Sequence, residues 1–183
     1  MVEINTERLV LRDWRESDLS PWAAMNADPE VREHLGPTLT AEQSGDSVRS
    51  FQDDLDRNGF GFWAVEVRAS GEFIGFTGLD PVDDGMPFTG VEVGWRLARS
   101  AWGRGYATEA AMVALEYGFA TVGLPEIVAV TTTTNLRSQA VMRRIGMTYD
   151  PAEDFDDPDV EEGPLRRQVL YRKLRDSTRP DAG

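Results

Sequence analysis

One run of residues limits the fold more than any other. Gly105 to Val122 contains no proline and is apolar on most sides, through Ala110, Ala111, Val113, Ala114, Leu115, Tyr117 and Phe119. Such a segment suits a helix buried against a sheet. Before it, Val91 to Leu97 reads as a strand, and between the two lies "SAWGRGYATEA", in which Gly103 and Gly105 flank Arg104. After it, "GLP" at Gly123 to Pro125 ends the helix, and Ile127 to Thr133 has the β-branched composition of a strand. Asn135 to Ile145 then reads as a helix stopped by Gly146. The second half therefore runs strand, glycine turn, helix, strand, helix, an α+β order.

The first half is built from shorter signals. Arg8 to Asp13 alternates as a strand, and the stretch after it offers Asp18 or Ser20 as a helix cap, with Pro21 in a first helical turn. Val48, Phe51 and Leu55 give Thr40 to Arg57 a helical spacing that Gly59 terminates. Phe62 to Arg68 and Phe73 to Leu79 alternate as two antiparallel strands joined by the turn "ASGE". Near the end, "DPAEDFDDPDVEEG" reads as a loop, Arg166 to Leu174 as a last strand, and residues 176–183 as a flexible tail. No repeat or linker divides the chain, and 183 residues with 40% hydrophobic content fit one domain over 1–175.

Composition removes several function classes. A formal net charge of −13 repels a nucleic-acid backbone and favours cationic or amine-bearing partners, although the same charge also serves solubility alone. With no cysteine there is no disulfide, thiolate metal site or cysteine nucleophile. The single histidine, His34, leaves no histidine cluster for a metal and is read in a surface or helix-end role. No apolar run has the length of a membrane span, and "MVEINTERLVLRDW" is too charged for a signal peptide, so a cytoplasmic location is expected.

A glycine turn that opens a helix can present several backbone N–H groups to one spot, and the helix dipole favours negative charge there. A phosphate or pyrophosphate is its natural guest. A P-loop would need lysine and then Ser/Thr after the last glycine, where Tyr106 stands, and a dinucleotide fingerprint would need a third glycine at Thr108 or Glu109. Both nucleotide readings fail on residues.

The stretches "VEVGWRLARSAWGRGYATEA" and "TTTTNLRSQAVMRRIGM", with "TERLVLRDWRESDL" and "FIGFTGL", resemble the GNAT superfamily of acyl-CoA-dependent N-acetyltransferases, and its Rim-type branch in particular. The resemblance covers most of the chain in the right order. It implies a GNAT-like domain, a mixed and mostly antiparallel sheet of about seven strands flanked by helices, with acetyl-CoA as co-substrate and no metal. It places the pyrophosphate loop on Trp102, Gly103, Arg104, Gly105, Tyr106 and Ala107. Trp102 departs from the family's polar first residue, and either covers the cofactor or packs below the loop. The strand before the loop lends its edge to pantetheine in the family, which falls on the backbone of Trp95, Arg96 and Leu97. Arg104 and Arg144 are candidates to neutralise the phosphates of CoA, or are solvated surface charges.

The resemblance also implies that Asn135 contacts pantetheine or positions the acceptor amine. Asn135 and Ser138 lie three residues apart, on one face of a helix. Many superfamily members protonate the leaving thiolate with a tyrosine seven residues after this asparagine, where this chain has Met142. Ser138 is then the best remaining donor; its other reading is a serine bonded to the helix backbone. On the strand, Glu92 is the candidate base, directly or through a water, against the reading of an exposed carboxylate. It shares a strand face with Gly94 and Arg96, and alternation does not say which face meets the acceptor. Three functions are weighed: an N-acetyltransferase acting by direct attack on a primary amine, an acyl-CoA-binding or sensing module without catalysis, and an acidic interaction protein. Rim-type resemblance favours a protein N-terminus as acceptor, small amines fit as well, and no motif settles whether the chain forms a homodimer.

Overall fold

The computed structural model describes residues 2–176, so the expected tail lies, from residue 177 onward, outside the described residues. Nine strands form one sheet: β1 Ile4–Asn5, β2 Leu9–Arg12, β3 Phe62–Val67, β4 Glu72–Pro81, β5 Val91–Leu97, β6 Glu126–Thr132, β7 Thr148–Tyr149, β8 Phe155–Asp156 and β9 Arg167–Leu174. Their order is β1-β2-β3-β4-β5-β6-β9-β7, with β8 also on β9. Every pairing is antiparallel except that of β5 with β6. The helices are α1 Leu19–Asn26, α2 Pro29–Arg32, α3 Ala41–Asn58, α4 Tyr106–Tyr117 and α5 Leu136–Arg144.

Local chemistry accounts for the boundaries. Thr40 and Gln43 form a reciprocal capping box at the start of α3, and Gly59 ends it at φ 73°, its N–H bonded to the Leu55 carbonyl. Asp18 does precede α1, but its carboxylate caps no α1 N–H. It accepts two hydrogen bonds from the buried Arg12, at 2.7 and 3.0 Å, and one from the Arg15 N–H. The guanidinium leaves that carboxylate no freedom to cap. The long apolar helix is also shorter than its composition suggests, because α4 stops at Tyr117 and Gly118–Val122 widens into a π turn.

Two faces of the sheet are sealed differently. On one, Val93 and Leu97 of β5 and Ile127 and Ala129 of β6 pack with Ala110, Ala111, Ala114 and Leu115 of α4 and with Val141 and Met142 of α5. On the other, α1 to α3 bring Trp22, Met25, Val31 and Val48 onto Phe76, while Phe88, Val128, Phe155 and Leu170 form a separate cluster. Between these last two clusters runs the seam of β5 and β6. The parallel pair registers only at Glu92 with Val128. Beyond that point, toward their carboxyl ends, the two strands share no further ladder pair among the described residues.

Close approach at Gly78 holds the hairpin side of this arrangement. A Cβ added there would lie 1.9 Å from the Gly61 carbonyl oxygen, and the obstacle is backbone. Gly78→Ala is expected to cost about 3 kcal/mol or more, read as a large drop in the urea midpoint; an unchanged midpoint would refute this account of the packing.

Candidate active site

The turn between β5 and α4 uses both of its glycines in the left-handed region, Gly103 at φ 73° and Gly105 at φ 79°. Gly105 is the N-cap of α4, and no side chain accepts from the N–H groups of the first turn. Those donors, from Tyr106 onward, are therefore open to an anion, the condition a pyrophosphate needs. The turn is braced from the start of β2. Arg8 donates to the Arg104 carbonyl at 2.9 Å and to Glu109 at 2.6 Å, and lies over the Tyr106 ring at 4.8 Å. Burial alone would raise the pKa of Glu109, but hydrogen bonds from Thr6 and Arg8 hold it below its ordinary value. Its charge is thereby spent inside the protein instead of opposing an anion at α4.

Trp102 packs below the loop: its Nε1–H donates to the Leu97 carbonyl at 2.8 Å, and Arg137 of α5 lies over its ring at 4.5 Å. Of the backbone stretch Trp95–Leu97, one acceptor is thus already engaged. The Leu97 side chain is buried against α4, and Trp95 packs beside it. Arg104 and Arg144 are exposed, and Ala107 is half-buried in the first turn of α4.

Asn135 is not in the helix but caps it. Its Oδ1 accepts from the Ser138 N–H at 3.2 Å, and its Nδ2 donates to Ser138 Oγ at 3.1 Å and to Thr131 Oγ1 at 2.9 Å. Ser138 accepts through its oxygen, which leaves its own proton for another acceptor. Met142 is 1% exposed and packs in the core cluster that also holds Val93 and Leu97 of β5 and Ala129 of β6, where its thioether has no proton to donate.

Glu92 stands at the single β5–β6 pair, opposite Asp80 of β4. Burial pushes its carboxyl up to about 7, with the like charges of Asp80 and Asp83 adding to the shift. Asp80 is raised to about 6 by burial, then by Asp54 and Asp83. The bland reading of an exposed, ordinary carboxylate does not describe Glu92. Its face is now defined as well: its partner Val128 belongs to the Phe88 cluster, on the side away from α4. Arg96 shares that face, opposite Phe76. Burial pulls its guanidinium down to about 9, and the like charge of Arg32 adds to this.

His34 comes to the same region. Its Nδ1 lies 3.3 Å from both Thr132 Oγ1 and Thr134 Oγ1, at the carboxyl end of β6. With Thr134, Leu136, Arg137 and Leu165 it lines a cleft of about 520 Å³, in the size range of small-molecule sites. The sequence placed His34 only in a surface or helix-end role and Arg96 only through its backbone and its strand face. For Arg96 the signal existed in its alternation with Glu92, whereas nothing local ties His34 to residues almost a hundred positions away.

A family model described as "Acetyltransferase (GNAT) domain" matches residues 8–148. The chain belongs to the GNAT acetyltransferase family. The uncharacterized N-acetyltransferase YnaD of Bacillus subtilis is 43% identical over 146 residues, 80% of this chain and 82% of its own length. Among solved structures, an acetyltransferase from Agrobacterium tumefaciens superposes with a TM-score of 0.76 at 28% identity, covering 94% of both chains. RimL, a ribosomal L7/L12 alpha-N-protein acetyltransferase solved with coenzyme A, shares the fold at a TM-score of 0.73 and 17% identity, covering 94% of this chain and 98% of its own. The GNAT fold, the Rim-type resemblance and N-acetyltransferase activity agree, and acetyl-CoA is the family's acetyl donor. No helix among the described residues is long and apolar enough to cross a membrane, and no metal-binding group of His, Cys, Asp and Glu occurs among them.

In this GNAT chain Glu92 has a raised folded-state pKa, so its contribution to stability is complete below about 4.5 and is lost as pH rises through about 7. Glu92→Gln is expected to gain on the parent across that window, by at most about 3 kcal/mol, and to match it in acid. Thermal scans from pH 4 to 8 check this, and parallel curves for the two proteins would count against a buried Glu92.

Proposed function

We propose that this acetyltransferase moves the acetyl group of acetyl-CoA onto a primary amine by direct attack in a ternary complex, with a protein N-terminus or a small amine as acceptor. The observation that carries the reading is the conjunction at one seam: an uncapped helix N-terminus on two left-handed glycines, beside a strand whose ladder stops at Glu92. Bound acetyl-CoA supplies an activated thioester. Gly103 to Ala107 would hold its pyrophosphate, with Arg104 and Arg144 in reach of bulk-facing phosphate charge, and the β5 edge at Trp95 and Arg96 would receive the pantetheine amides.

The protein's own part is proton management. An α-amine with a pKa of about 7.7 to 8 loses its proton to a group titrating near 7 at small cost, whereas a lysine at about 10.4 asks roughly 4 kcal/mol near neutrality. Glu92 therefore suits an α-amine as general base, directly or through one water. The Ser138 proton, left free by its bond from Asn135, would meet the departing sulfur. RimL acts on a protein α-amine by its name, which agrees with this chemistry.

The reading is tested with calorimetry on acetyl-CoA and thiol release on an amine panel. The parent is expected to bind saturably, and Gly105→Asp, which sets a carboxylate at the mouth of α4, to bind at least about tenfold more weakly while still folded. The kcat/KM profile should rise with pH through about 7 as Glu92 deprotonates. In Glu92→Gln that limb should vanish and kcat fall by about 10²- to 10⁴-fold. A folded parent that binds no acetyl-CoA would overturn the proposal.

A further inference from the structure

Arg96 is a half-buried cation without an anion. Its Nη1 donates to Asn26 Oδ1 at 2.8 Å, and its guanidinium carbon lies 5.1 Å from the Trp22 ring and 5.4 Å from that of Phe76. Its Nε is buried and has no hydrogen-bond partner. No carboxylate lies within ion-pair distance of it among the described residues, and the like charge of Arg32, itself committed to the Leu35 and Pro37 carbonyls, disfavours its charged form further. An arginine cannot shed its proton to escape burial, and removing an uncompensated charge from water is costly. Aromatic faces and one amide return only part of that cost.

The position of this cation in the fold says where an anion would come from. Arg96 lies on the same β5 face as Glu92, four residues nearer the open end of the seam, on the side away from α4. Counting from the Glu92–Val128 pair, it stands level with Thr132, whose hydroxyl meets His34. The phosphates of CoA belong at the start of α4, which covers the opposite face, and the acetyl-pantetheine arm carries no charge. On this face the amine is received at Glu92, so a negative group reaching Arg96 belongs to the acceptor. Asn26, fully buried and held by Ser44 at 3.2 Å, keeps the guanidinium in place.

We infer that Arg96 is an anion subsite of the acceptor groove, which binds a carboxylate carried by the acceptor several bonds from its reactive amine. The inference rests on the acetyl-transfer reading and narrows its substrate class to amines that also bear a carboxylate. The source is either the distal carboxylate of a small ω-amino acid or an acidic side chain near a peptide N-terminus.

The test uses the full chain, acetyl-CoA and matched acceptor pairs: a long-chain ω-amino acid against its primary amide, and a tripeptide with Glu in second place against one with Gln. In one of these pairs the carboxylate member should have a KM lower by about 10- to 100-fold. The pair that discriminates identifies the source. Arg96→Met should erase the preference, and Arg96→Lys should restore part of it. Thiol release with equal KM values in both pairs leaves acetyl transfer standing and overturns the subsite. A second measurement needs neither turnover nor a variant: the N-acetylated forms of the same compounds are titrated into the CoA-saturated parent. Tighter binding of a carboxylate member supports the subsite, and equal or absent binding across the pairs refutes it.

Discussion

Two parallel strands that meet at one residue pair organise this molecule. At Glu92 and Val128 the sheet is continuous, and beyond them β5 and β6 lose their ladder. Backbone N–H and C=O groups left without a strand partner need another one, because each is a strong donor or acceptor. The loop solves part of this for itself, since the Trp102 indole takes the Leu97 carbonyl. The rest of the edge is an opening in an otherwise satisfied sheet, and the antiparallel pairs on both sides are what hold that opening at a fixed width.

Charge is arranged around the opening in a way that the net value of −13 conceals. Glu109, which would oppose an anion at the start of α4, is neutralised by Thr6 and Arg8. On the far face a carboxylate at the closed end and a guanidinium toward the open end stand on one strand, each partly desolvated beside the seam. Low local dielectric strengthens both groups' interactions with whatever enters, and for the same reason makes their unpartnered state expensive. The neutral form of Glu92 is the less costly one until an ammonium arrives. In the mechanism we propose, acceptor arrival and base activation are coupled through this one desolvated carboxylate.

Long periodic elements were legible in the sequence because their signals are local. Val91–Leu97 is bounded as read, and α3 ends at the Gly59 stop read for it. Three strands of two residues each were not foreseen, since two positions carry no period; β8 even lies inside the stretch read as an acidic loop. The glycine turn was legible because positive φ restricts residue choice. What escaped was tertiary. Asp18 stands where a cap belongs, yet a guanidinium six residues away takes its carboxylate. Alternation grouped Glu92 with Arg96 but had no means of saying that Val128, and with it the side away from α4, would decide the face. His34 joins Thr132 and Thr134 across almost a hundred residues.

The second departure from the family pattern, Met142, follows from the same geometry. Met142 packs in the core with α4 and the sheet, where a phenol would bring a hydroxyl into apolar surroundings and would need a partner there. The loss of that acid matters less for a thioester than for an ester, because a thiol with a pKa of about 8.5, taking cysteine as the reference, leaves readily as its anion. In the mechanism we propose, one oriented hydrogen bond takes its place. Asn135 provides the orientation: by capping α5 and donating to Ser138 Oγ, it fixes the hydroxyl oxygen and leaves the proton pointing elsewhere. In our reading the asparagine and serine act as one unit, so that the helix cap, a device of stability, also sets the direction of the donor.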